Sequence, residues 1–310
     1  MTRPSSDAAP LVRRCPICGQ TEPEAFLQKG RLQLVRCRVC SMVYATPVEA
    51  ELASGAFYDR LATPFYLSPD KLESDYASVR FARELRLFRR HCARGRVLDV
   101  GCSTGAFLYQ LRRRYPADYE GVGTDVAVAA LDHAESRGVP VVRAPFLEHD
   151  FGNATFDAIT FWAVIEHLVE PGRFMRKAAA LLRPGGTGFV LVPNLGSLAV
   201  RLLGAKYRYL MPDHVNYFTE ATLRRFLTIE PEFKVIELGS CHFNPLVIWR
   251  DLRGGAERVP DAERARLLKR TTAYKQSGWL APARWLYAGV ERLLGTLGLA
   301  DNLFAVIRRR

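Results

Sequence analysis

The sequence predicts an α/β fold built on a mostly parallel sheet, with a small cysteine-rich appendage at its N-terminal end. Three observations carry this. Residues 96–108 (RVLDVGCSTGAFL) run from a short apolar strand through a glycine turn into a helix. Residues 121–125 (GVGTD) repeat the strand and end on an acid. Cys15-x-x-Cys18 and Cys37-x-x-Cys40 form two pairs with 18 residues between them.

The cysteine pairs come first in the chain. Two knuckles at this separation can set four thiolates tetrahedrally around zinc, and a unit with so few apolar residues needs the metal to fold. Four sulfurs leave the ion no open position, so its role is structural. Cys15, Cys18, Cys37 and Cys40 are therefore the expected ligands of a zinc ribbon over residues 1–46, with a core of its own. Neither pair lies between a strand and a helix, as a redox pair would. Residues 47–94 read as a mostly helical linker or lid broken at Pro64 and Pro69, in which Phe81, Leu85 and Phe88 form a buried stripe. Tyr58 and Tyr66 are candidate lid residues.

In the turn at 101–105, Gly101 and Gly105 supply conformations closed to bulkier residues, so a ligand can press against the backbone. Gly101-x-Ser103-x-Gly105 matches the nucleophile elbow of serine hydrolases, but such an elbow follows several strands, and this one ends the first. A nicotinamide loop needs glycines where Ser103 and Ala106 stand. Asp125 lies about 20 residues beyond the loop, where a carboxylate can take both hydroxyls of a ribose. Two further segments follow, 156–168 (FDAITFWAVIEHL) and 181–194 (LLRPGGTGFVLVPN).

In order and spacing, these four segments resemble the class I S-adenosylmethionine-dependent methyltransferases, in particular the small-molecule branch whose fourth strand runs into Glu-His and whose fifth follows L-x-P-G-G. The resemblance spans residues 95–240. It implies a Rossmann-like sheet of seven strands with helices on both faces, in which residues 233–238 form the sixth strand and 302–307 the seventh, inserted antiparallel. It also implies S-adenosylmethionine as cofactor, held by Asp99, Gly101, Cys102, Ser103, Gly105 and Asp125, with Phe161, Trp162 and Ala163 on its far side. Related enzymes place an acid after the third strand to meet adenine. Here Ala144 and Pro145 stand there, and Glu148 or Asp150 is the substitute. An N-terminal ribbon also resembles the subset that includes sugar-modifying enzymes of bacterial glycan and natural-product pathways, which implies a sugar, glycan or lipid-linked acceptor.

For the proton the acceptor must lose, His214 is the expected base. Its segment, 213–219 (DHVNYFT), follows the fifth strand and falls at the carboxyl edge of the sheet. His167 and Tyr217 are the alternatives. The core is expected over 95–245, and a helical insertion with the final strand over 246–310. Within it, residues 279–297 carry Leu286, Val290, Leu293, Leu294 and Leu297 on one stripe beside Trp279 and Trp285. This suits packing on the core, a second subunit or a peripheral membrane contact.

Composition frames these expectations. The chain has 310 residues, 48% of them apolar, and a net charge of +12. It is long enough for a core with an appendage, and its basic balance suits an anionic partner such as a phosphorylated substrate, a membrane surface or nucleic acid. A ribosomal RNA base methyltransferase with a zinc ribbon is the second enzymatic reading, although the N-P-P-Y signature of base methylation is absent. A non-catalytic binding protein on the same fold is the third. Polar residues at 1–10 and seven cysteines without a secretory signal suggest a reducing cytoplasm, with any membrane contact at its inner face.

Overall fold

The structure, a computed structural model, describes residues 9–253, 260–276 and 281–310. Eleven strands are seen among these residues: β1 Pro23–Lys29, β2 Leu32–Cys37, β3 Val43–Ala45, β4 Gly95–Val100, β5 Tyr119–Thr124, β6 Val141–Val142, β7 Phe156–Trp162, β8 Leu182–Pro193, β9 Asn216–Tyr217, β10 Phe233–Cys241 and β11 Asn302–Arg309. Seven form one sheet in the order β10-β11-β8-β7-β4-β5-β6. The neighbours from β8 to β6 are parallel, and β11 runs antiparallel between β8 and β10. This is the seven-stranded Rossmann-like sheet that the sequence led us to expect.

Strand alternation explains why β4 is central. Val97 packs on one face with Phe88, Phe107 and Phe189, while Leu98 and Val100 pack on the other with Phe161 and Met175. All three β4 side chains are buried. Helices Ala82–His91 and Ala106–Arg114 cover the first face, and Pro171–Leu181 and Glu220–Leu227 cover the second. With apolar residues needed on both sides, β4 can sit only in the interior of the sheet.

Two expectations are revised. Pro69 does not break a helix; it opens one, Pro69–Tyr76, at the first turn, where its missing N–H costs nothing. Nor does the N-terminal unit have a core of its own. β1, β2 and β3 join β9 in a four-stranded sheet, with Val43 opposite Tyr217 and Tyr44 opposite Asn216. Cys15, Cys37, Cys40, Met42 and Tyr44 belong to the same buried cluster as Leu98 and Phe218. Buried Arg13 ties the seam: its guanidinium donates to the carbonyls of Val215 and Val169 at 2.8 Å and to Asn216 Oδ1 at 2.9 Å.

The insertion before β11 contains helices Pro245–Arg253, Asp261–Gln276 and Ala281–Thr296. In the last, Leu294 is buried, whereas Val290, Leu293 and, just beyond it, Leu297 are exposed. Trp279 lies outside the described residues, as do the side chains of Trp285 and Leu286. No helix among the described residues is long and apolar enough to cross a membrane.

Candidate active site

A cavity of about 1330 Å³ opens along the carboxyl ends of β4, β5 and β7. The glycine turn forms its floor. Gly101, Ser103 and Gly105 all take positive φ, at 71°, 50° and 73°. A Cβ on Gly101 would lie 2.6 Å from Val164, so only glycine lets these segments meet. The Ser103 backbone N–H donates to Asp125 Oδ2 at 2.7 Å, and the Ala127 N–H donates to Oδ1 at 2.9 Å. Asp125 thereby locks the turn to the end of β5. Each carboxylate oxygen keeps acceptor capacity for a ligand hydroxyl.

Asp99 is buried beneath the turn, where Thr160 Oγ1 donates to its Oδ1 at 2.6 Å. Burial lifts its pKa to about 7, above the usual carboxylate range, against the pull of that bond. Cys102 is buried with its sulfur against Gly123, where a Cβ would come within 2.5 Å. It also contributes to the cavity lining. Trp162 and Ala163 line the cavity, as do Tyr58, Tyr66 and Glu148. Phe161 does not. It is buried in the core with its ring 6.3 Å from Phe146, because alternation along β7 turns it away from Trp162. Asp150 also stays outside the lining and accepts from the Gly152 N–H.

At another part of the cavity wall stand Glu166, His167 and His214. Ligand atoms from all three lie within 4.8 Å of one another, and the two imidazole rings meet edge to face at 4.7 Å. His167 Nδ1 lies 2.7 Å from the Asp213 carbonyl, which can only accept, so Nδ1 carries a proton and donates. In the neutral ring this leaves Nε2 as the lone-pair nitrogen. His214 Nδ1 and both Glu166 carboxylate oxygens are buried without a hydrogen-bond partner. Burial raises Glu166 to about 8 and lowers both histidines, His214 the more strongly, with His167 and Arg264 adding to its shift. At neutral pH the Glu166 carboxyl therefore keeps its proton, and it and His214 Nδ1 are held out of water without hydrogen-bond partners.

The Tyr217 ring lies 6.3 Å from that of His214, but its hydroxyl is turned elsewhere. Its hydroxyl donates to the Met211 carbonyl at 2.9 Å, and its side chain is absent from the cavity lining. Several cavity residues gave no local signal in the sequence. Arg264 comes from the insertion, and Glu84 and His242 form an ion pair of 2.7 Å at the wall.

The four cysteine sulfurs lie apart from the cavity. Cys15 and Cys40 are 3.4 Å apart, Cys18 and Cys37 also 3.4 Å, and Cys18 and Cys40 3.7 Å. Zn–S bonds of about 2.3 Å in a tetrahedron place sulfurs about 3.8 Å apart, so the set fits zinc with small adjustments. The two knuckles are alike. After each second cysteine the chain turns left-handed, at Gly19 and at Ser41, whose N–H groups donate to the Cys15 and Cys37 carbonyls at 2.9 Å.

Sheet order, glycine turn and strand-end acid together define a class I S-adenosylmethionine-dependent methyltransferase fold. Residues 75–237 match the family described as a methyltransferase domain, and the chain belongs to that family. Among curated relatives, a ubiquinone biosynthesis O-methyltransferase of Caulobacter vibrioides is 32% identical over 151 residues, which cover 44% of this chain and 58% of that protein. Its counterpart in Mesorhizobium japonicum is 34% identical over 140 residues, or 43% of this chain and 55% of that protein. The chain thus spans little more than half the length of either relative. In fold, the chain is similar to the plantazolicin methyltransferase BpumL, solved with a substrate analogue and S-adenosylhomocysteine. The TM-score is 0.50 at 13% identity, covering 85% of this chain and all of that one.

Proposed function

We propose that this chain transfers a methyl group from S-adenosylmethionine to an oxygen of a small molecule, a sugar, glycan, lipid-linked or natural-product intermediate. The observation that carries this reading is the Glu166–His167–His214 cluster, whose unused lone pairs share one cavity with the glycine turn and Asp125. Two relatives named as O-methyltransferases support oxygen as the acceptor atom.

The cofactor supplies a methyl already activated on a sulfonium, so the protein contributes mainly position and a place for one proton. Asp125 would take the ribose hydroxyls, the 101–105 backbone would face the rest of the cofactor, and Trp162 and Ala163 would close the far side. Tyr58 and Tyr66 serve as lid residues. Both hydroxyls are pushed up by burial and stay protonated donors at neutral pH. His214 is the base. Kept neutral by burial, its Nδ1 lone pair can accept the acceptor's hydroxyl proton as the oxygen attacks the methyl. His167 orients it from the adjacent edge. We retain 1–46 as a zinc-bound ribbon, 47–94 as the helical lid or linker, 95–245 as the cofactor-binding core and 246–310 as a helical insertion with the final strand of the core. Val290, Leu293 and Leu297 are what supports membrane contact through 279–297.

The test supplies radiolabelled S-adenosylmethionine and a panel of sugar, phenolic and lipid-linked alcohols to wild-type and His214→Ala protein. The wild type should label at least one class, and the variant should lose about 10² to 10⁴ in kcat with cofactor affinity retained. A loss below about fivefold would remove His214 from the chemistry.

A further inference from the structure

An apolar surface unrelated to the helix at 281–296 lies on two short helices of the acceptor side. Helix Leu198–Leu203 follows β8, and helix Pro245–Arg253 follows β10. They pack on each other, with Ala199, Leu203, Val247 and Ile248 buried in one cluster. Their outward faces are not polar, as the solvent side of a helix normally is. Leu202 is 57% exposed, Leu246 50%, Trp249 52% and Leu252 54%. In the second helix, the three fall at i, i+3 and i+6 and form one stripe.

The exposed charges on these helices have one sign. Arg201 and Arg253, and Lys206 just beyond the first helix, are exposed around the apolar residues, while half-buried Arg250 faces Glu263 of the next helix at 3.9 Å. The one acid of the two helices, Asp251, is buried and consumed by Arg208, which holds it through three donors at 2.5 to 3.0 Å. Arg253 lies 4.2 Å from the centre of the Trp249 ring, so a cation caps the exposed indole. Leucines flanking a tryptophan within a cationic rim match the requirements of an anionic lipid interface, where the rings sit at headgroup level and the arginines meet phosphates. Leu246 belongs both to this stripe and to the cavity lining, together with Pro245 and Phe243.

We propose that the faces of residues 198–206 and 245–253 dock on an anionic lipid surface, so that the cavity mouth at Leu246 opens towards the membrane. The inference needs only the exposed surface, and it stands or falls separately from the assignment of the methyl acceptor.

The test is flotation of the full chain with vesicles, beside its self-association in sedimentation. At low salt the wild type should float with vesicles of about half phosphatidylglycerol and stay behind with pure phosphatidylcholine. Each basic side chain near such a surface contributes about fivefold, so Arg201→Gln with Arg253→Gln should weaken binding about 25-fold. Trp249→Ser with Leu246→Ser should abolish it. The arginine variants lie on the surface and should keep the wild-type melting temperature, so they stay informative even if the apolar variant folds poorly. Absence of flotation at low salt would overturn the proposal. So would equal binding to neutral vesicles that ignores the arginine changes. A wild-type dimer that Trp249→Ser dissociates would also overturn it, because a second copy would then be the occupant.

Discussion

At the residue scale, the site divides into positions where the backbone is the instrument and positions where a side chain is. Ser103 belongs to the first kind: its N–H reaches Asp125, while its hydroxyl is buried without a partner. Ser103→Ala is therefore expected to leave cofactor binding within about twofold, because the backbone bond persists. Isothermal titration with S-adenosylhomocysteine checks this, and a loss of an esterase activity instead would restore the hydrolase reading. His214 is of the second kind. Since its pKa lies well below 6.5, His214, our proposed base, should stay neutral as the pH falls from 8 to 6.5, and kcat should be flat between 7 and 6.5, with any change nearer pH 8 following Glu166. A kcat that halves near pH 6.5 would mean an unperturbed, solvent-exposed base. Glycines, Asp125 and the histidine segment were legible because each sits at a fixed offset from a strand end. The burial that orphans Glu166 and the bond that occupies Tyr217 were not, since both depend on which distant backbone covers them.

At the scale of elements, two contacts decide stability. The first is the seam between β3 and β9. Loss of zinc should destabilise more than the ribbon, because Cys37, Tyr44 and Phe218 share one buried cluster. Metal analysis should find one zinc per chain in the wild type and none in Cys37→Ser. The substitution should also lower the stability of a single cooperative transition by about 3 kcal/mol or more. An unchanged main transition beside a separately melted ribbon would show two cores after all. The second contact is Glu84 with His242, joining helix Ala82–His91 to the end of β10. Burial works against both charges, yet Cys241 and Glu84 raise His242 to about 10, and His242 lowers Glu84 to about 2. The histidine's contribution is complete below 6.5 and lost as the pH rises through 10; the glutamate's is complete above 4.5 and lost as the pH falls through 2. Glu84→Gln should therefore cost about 3 kcal/mol between pH 5 and 6.5 in denaturant melts, and the difference should narrow steadily as the pH rises from 6.5 towards 10. The parallel strands and their helices were legible from local periodicity, whereas these contacts were not. Arg13 and Val215, for example, are separated by 202 positions, and no local pattern pairs them.

At the scale of the whole molecule, the sheet brings two groups of residues to one cavity, which we propose as its cofactor end and its acceptor end. The turn after β4 and the acid after β5 build the first. The Glu-His pair after β7 and the segment before β9 build the second. Residues of the helical segment before β4, such as Tyr58, Tyr66 and Glu84, and of the insertion before β11, such as Arg264, complete the walls. The most direct test of this division is isothermal titration of S-adenosylhomocysteine into wild-type, Asp125→Ala and His214→Ala proteins. Micromolar affinity is expected in the wild type, at least about tenfold weaker binding in Asp125→Ala, and wild-type affinity in His214→Ala. Equal affinity in wild-type and Asp125→Ala protein, or no binding by the wild type, would contradict the account.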